Sequence, residues 1–153
     1  NNVYLILLVE QPSFLLATIR SRCQLYRIAA TVQQDEKPEE KQAFFHDCCE
    51  LLRKRLSLIE VSEKWQKTDL SFLWRCWSSW TSDLLRLQLT PQPEIANQSE
   101  RVTLEKLSRV CSTDALLAYA DQLTACKKIL TTQIAVNAQL MLEDLLLAWR
   151  RIL

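Results

Sequence analysis

Two arginines and a cysteine close the segment TIRSRC, residues 18–23. A guanidinium stays charged, and its planar fork can hydrogen-bond two oxygens of one anion together. Arg20 and Arg22 are therefore the first candidates for chemistry, as contacts to something negative on another molecule. Placed across a subunit interface, such a group stabilises charge developing on a γ-phosphate. On their own, two arginines after a helix are a weak signal, and plain surface charge is the alternative reading.

Other clusters carry less. His46, the only histidine, stands beside Cys48 and Cys49. On a helix His46 and Cys48 point to different faces, and the six cysteines (23, 48, 49, 76, 111 and 126) form no C-x-x-C. A metal site is not expected. Glu143 and Asp144 are consecutive, and consecutive residues on a helix do not face each other, so they read as a solvated face rather than a catalytic pair. Trp65, Trp74, Trp77 and Trp80 suggest a base-stacking platform. Only Lys64, Lys67, Arg75 and Arg86 lie near them, and Trp77 and Trp80 share a leucine seam, so packing is the expectation. Arg53, Lys54 and Arg55 read as a solvated helix face, with anion contact as the alternative. No serine sits in a nucleophile elbow, and a complete active site is not visible.

The composition narrows the class. The chain has 153 residues, 48% of them apolar, with 19 basic and 18 acidic residues and a net charge of +1. That balance is no footprint for wholesale nucleic-acid binding, so any DNA contact has to be local. Glycine is entirely absent, where average usage of about 7% would supply roughly ten. Neither a Walker A loop nor a G-x-G-x-x-G fingerprint can therefore be read, and hairpins with primed turns are disfavoured. A glycine-free chain rich in Leu, Gln, Glu, Lys and Arg reads as mainly helical. The longest apolar run, 3–9, falls far short of the ~20 residues of a membrane span. Cysteines on apolar helix faces, with no leader segment in view, read as reduced thiols of a cytoplasmic protein.

These residues need elements to hold them. VYLILLV, 3–9, is a continuous β-prone run of the kind buried on both faces of a parallel sheet. A short helix over 14–20 and a second strand, QLYRI at 24–28, follow. The sheet partners of such a strand are not in the sequence, so the chain is expected to be a fragment of a longer protein. Residues 31–37 read as a polar linker. A helix is expected over 38–59, opened by Pro38 with Glu39 and Glu40 in its first turn, its apolar face being Phe45, Cys48, Leu52, Leu56 and Ile59. The next is expected over 69–89 with Thr68 as its cap and a seam of Leu70, Leu73, Trp77, Trp80, Leu84 and Leu87. A short helix at 104–110 precedes one capped at 112–114 that runs to Ile134. Asn137 caps a last helix reaching the C-terminus, with Leu142, Leu145, Leu146, Trp149 and Leu153 as its stripe. Arg150 and Arg151 at its end suit the macrodipole. The fold class is thus mainly α: a helical bundle over 38–153, preceded by a strand–helix–strand remnant of an α/β domain over 1–30.

The order of YLILLVEQPSFLLATIRSRCQLYRI resembles the end of the AAA+ core of bacterial DNA polymerase III clamp-loader subunits, the δ′ type among them, whose hallmark is S-R-C. VNAQLMLEDLLLAWRRIL resembles the last helix of the same type. The resemblance implies a helical collar that binds neighbours in a five-subunit ring. It implies that Arg22, flanked by Ser21 and Cys23, is an arginine finger reaching the ATP site of the adjacent subunit; Arg20 lies outside the motif. It implies no cofactor in this chain, ATP being bound by neighbouring subunits, and no catalysis by the chain alone. The implied partners are the γ/τ-type ATPase subunits and δ, and indirectly the sliding clamp and primed DNA, with no membrane. The family's small lid domain has no counterpart between Ile28 and Pro38. The alternatives are part of a γ/τ-type ATPase subunit, or a helical scaffold unrelated to replication.

Overall fold

The computed structural model describes residues 7, 9, 15–24, 37–131 and 137–153. The chain divides into two compact units, Asn1–Gln34 and Asp35–Leu153. The strands expected at 3–9 and 24–28 lie almost wholly outside the described residues. Leu7 and Val9 are described, and both are exposed rather than buried. In the first unit the described element is α1, Ala17–Arg20.

The regular elements among the second unit's described residues are all helices: α2 (Pro38–Leu52), α3 (Leu58–Trp65), α4 (Leu70–Leu89), α5 (Arg101–Ser108), α6 (Thr113–Thr131) and α7 (Ala138–Trp149), closed by a 3-10 turn, Arg150–Ile152. α4 is the central helix. Leu70, Leu73, Trp77, Trp80 and Leu84 are all buried, as their three-and-four spacing predicts. α4 packs on α6 and α5, α3 packs on α7, and α2 touches α3, α4 and α7.

The core is aromatic. Phe44 lies against Trp65 and Trp77 with ring centroids 5.0 and 4.8 Å apart. Phe45 lies 4.9 Å from Trp80, and Tyr119 lies 5.4 Å from Trp149. Such tilted pairs add about 0.5–1.5 kcal/mol each beyond area burial. These rings join α2, α3, α4, α6 and α7 into one core.

Several boundaries depart from expectation. The helix expected over 38–59 is two helices. α2 ends at Leu52 in a left-handed turn, and α3 starts afresh behind a capping box at Ser57 and Glu60. Ile59 consequently leaves the apolar face and is 66% exposed, while Leu56 stays partly buried. Asp69, not Thr68, caps α4, its carboxylate accepting from the Ser71 N–H at 3.1 Å. α5 starts three residues and ends two residues earlier than expected. Asn137 does cap α7, accepting from the Gln139 and Leu140 N–H groups. The last helix tightens into the 3-10 turn, which leaves Leu153 55% exposed.

Candidate functional site

In the first unit the S-R-C turn follows directly from α1. The Ser21 N–H donates to the Ala17 carbonyl at 2.9 Å and the Arg22 N–H to the Ile19 carbonyl at 3.1 Å. The Ser21 hydroxyl donates back to the Thr18 carbonyl at 3.2 Å. A free carbonyl at a helix end needs a partner, and serine supplies one locally. The turn is thereby closed without glycine, and Ser21, Arg22 and Cys23 are all exposed. Arg22 forms no ion pair among the described residues. Its fork of N–H donors is available to an anion brought from outside.

In the second unit most of the residues singled out by type are used up in folding. Trp65, Trp77 and Trp80 are buried. Trp74 is half-buried, donates its ring N–H to the Leu123 carbonyl at 2.7 Å, and has the Lys127 ammonium 5.7 Å from its ring. These indoles form no open stacking platform. Glu143 accepts from Ser62 on α3 and from Gln139, whereas Asp144 accepts from Gln122 on α6. The two carboxylates face different helices and cannot share one proton.

His46 is exposed while Cys48 and Cys49 are buried. His46 and Cys49 do line one open depression of about 230 Å³ with Gln42, Phe45 and Glu100. A Cys–His nucleophile would need a depressed thiol pKa. Burial instead pushes Cys49 up to about 11, and Cys48 is raised well above its usual value by burial too. The depression is therefore no nucleophilic site.

The polar groups that matter most for shape are ones sequence reasoning missed. Asp83 is fully buried, and its carboxylate accepts from the Ala96 and Asn97 N–H groups and from the Asn97 side chain at 3.1, 2.9 and 2.7 Å. It pins the loop after α4. Gln88 donates to the Ser108 and Cys111 carbonyls and accepts from Thr113, fixing the α5–α6 corner. Asp47 takes the Lys64 ammonium at 2.6 Å and the Trp65 ring N–H at 2.8 Å, tying α3 to α2. Spacing along the chain carries no signal for pairs 13 to 25 residues apart.

Arg53, Lys54 and Arg55 form the turn that ends α2. The Lys54 N–H reaches the Leu51 carbonyl and the Arg55 N–H the Glu50 carbonyl, a Schellman closure. Lys54 sits at φ 58°, the left-handed region, where a side chain costs about 1–2 kcal/mol that glycine avoids. Glu50 accepts from Arg53 at 2.8 Å and from Arg55 at 3.4 Å, and the Arg53 hydrogen bond is the main cause holding its carboxyl below the usual range.

A known family matches this second unit. The family model described as DNA polymerase III, delta subunit, C terminal, aligns with residues 36–151, leaving the S-R-C turn outside the match. No curated protein and no solved structure matches the chain.

Proposed function

The chain belongs to the family of C-terminal domains of the DNA polymerase III delta subunit, and from that membership we propose how it works. It is the C-terminal part of a clamp-loader subunit, an accessory component of the polymerase. Within that role we assign it to the δ′ type, a non-catalytic subunit. Residues 1–30 are the end of an AAA+ core, 31–37 a linker, and 38–153 a collar that assembles with the γ/τ-type ATPase and δ subunits. The division of the chain between Gln34 and Asp35 supports that arrangement.

Arg22 is the group offered in trans to a neighbour's nucleotide. The observation that carries this is the S-R-C turn itself: an exposed arginine, in no ion pair among the described residues, on a turn tied down by Ser21. The guanidinium would meet the γ-phosphate of ATP held by the adjacent subunit and stabilise charge there as the bond to the leaving group lengthens. Arg22→Ala in the full-length subunit should then reduce DNA-dependent ATP hydrolysis of the assembled loader by roughly 10³-fold or more. Hydrolysis at the wild-type rate sinks the assignment.

The second reading is a delta-type subunit, favoured by the description of the matching family. Loaders reconstituted with the full-length protein in place of either δ or δ′ separate the two, because only the correct replacement restores clamp loading.

A further inference from the structure

Charge in the helical unit is concentrated at one end. Three segments meet there: the turn after α2 (53–55), the α5–α6 corner (109–112) and the closing 3-10 turn (150–152). The Trp149 ring N–H donates to the Cys48 carbonyl at 3.2 Å, which brings the end of α7 to the last turns of α2. The Ser112 N–H donates to the Ile152 carbonyl at 3.1 Å. Cys111 is also near enough to Cys49 to contribute, after burial and the neighbouring charges, to the rise of the Cys49 pKa. Together the segments carry Arg53, Lys54, Arg55, Arg109, Arg150 and Arg151, all exposed.

Helix geometry accounts for only part of this. α2, α5 and α7 all finish here, and each C-terminus carries about half a negative charge that favours cations. Glu50 and Asp114 are acids on the same segments or next to them, and Glu100 lines one depression with Arg53; of the three, Glu50 alone forms an ion pair among the described residues, with Arg53 and Arg55. With these three acids and the three helix ends counted, about one to two positive charges stay uncompensated. Lys54, Arg109, Arg150 and Arg151 form no ion pair among the described residues. A chain whose net charge is only +1 thus gathers six of its 19 basic residues at one end.

We propose that this end of the helical unit binds the phosphate backbone of nucleic acid directly, without reading its sequence. Five of the six cations are arginines, whose forks match phosphate oxygens in pairs. The aromatic rings at this end, Tyr119 and Trp149, are buried. Bases therefore find no stacking partner, and contact is confined to sugar and phosphate. An acidic peptide would bring the same charge, but it would also need apolar anchoring, and the exposed Val110 and Leu153 at this end line neither the depression at Phe45, Cys49 and Arg53 nor the one at Pro38 and Asn97. Lys54 fits the proposal, since it occupies a left-handed position that glycine fills more cheaply.

The test is fluorescence anisotropy of a labelled DNA duplex titrated with the full chain over a range of salt. The expected result is binding that weakens steeply with salt, the log–log slope falling by about one for each cation removed. A combined Lys54→Gly, Arg109→Gln, Arg150→Gln, Arg151→Gln variant should lose roughly tenfold or more in affinity at low salt. Lys54→Gly alone separates charge from folding, because it relieves the turn yet should still shallow the slope. A control variant, Arg75→Gln with Lys127→Gln, removes charge about 20 Å away along α4 and α6, and should bind as the wild type does. The proposal is overturned if the wild type fails to bind at low salt or if the combined variant binds undiminished. Equal loss in the control overturns it as well, as does displacement of the DNA by a polyglutamate peptide at equal charge.

Discussion

The S-R-C turn and the helical unit use their side chains in opposite ways. In the turn, Ser21, Arg22 and Cys23 all stand in solvent, and the local structure rests on a few backbone bonds and one hydroxyl. In the helical unit, indole, phenyl and phenol rings are packed to near-complete burial, and carboxylates such as Asp83 are consumed as braces. A residue left unused by folding is available for chemistry; one buried among partners is available only for shape. Substitutions in the turn should therefore change activity at constant stability, and those in the bundle should change stability.

The largest expected effect is at Arg22. Arg22→Ala is expected to leave the unfolding midpoint of the full-length subunit within experimental error, while ATP hydrolysis by the assembled loader falls by roughly three or more orders of magnitude. A fall in both quantities together would break the contrast, since it would make the arginine structural.

Trp80→Ala tests the other side. Trp80 is fully buried against Phe45 and Trp149. Its removal should lower unfolding free energy by about 3–5 kcal/mol in urea titrations. Its ring N–H has no hydrogen-bond partner among the described residues, so Trp80→Phe loses packing but no bond and should cost less. An equal loss in both variants would mean that the indole nitrogen matters in a way the packing does not predict.

Next in size is Asp83→Asn. The carboxylate accepts from three N–H groups of the 96–97 loop and from Arg86 at 3.3 Å. An amide supplies one acceptor in place of two and no charge. A loss of roughly 2–4 kcal/mol is expected, with earlier hydrogen exchange in the 91–100 loop than in α4. Uniform loss of protection across the bundle would show that the loop is no separate unit.

The same contrast governs what the sequence revealed. The α4 seam was legible because burial repeats at helical spacing, and the Asn137 cap because its chemistry is local. The S-R-C motif was singled out by residue identity alone, and the structure adds that it forms an exposed turn after α1. The break between α2 and α3 was not: apolar residues at 45, 48, 52, 56 and 59 keep a helical period straight through it. No glycine or proline marks the turn, because Lys54 takes the left-handed position itself. The braces at Asp83, Gln88 and Asp47 were invisible for another reason, since each joins groups whose meeting depends on the finished fold. The basic end of the bundle was split among three stretches of sequence, each of which alone reads as an ordinary helix end.

The smallest expected effect is at that missed boundary. The Ser57 hydroxyl accepts from the Glu60 N–H at 3.2 Å, and the Glu60 carboxylate accepts from the Ser57 N–H at 2.7 Å. Ser57→Ala removes the first of these and should cost about 1 kcal/mol. The hydrogen bond from the Ser57 backbone is also the main cause that lowers the Glu60 pKa from its ordinary value. The sign follows from linkage. A carboxyl whose folded pKa is depressed contributes stability above its unfolded pKa and loses it as pH falls through the folded value. Wild-type stability should therefore decline as pH drops through the carboxylate range, and Glu60→Gln should remove Glu60's share of that decline. Thermal melts of wild type, Ser57→Ala and Glu60→Gln at neutral and acid pH check both points. If Ser57→Ala melts as the wild type does, α3 is held by its packing on α7 rather than by its own start signal.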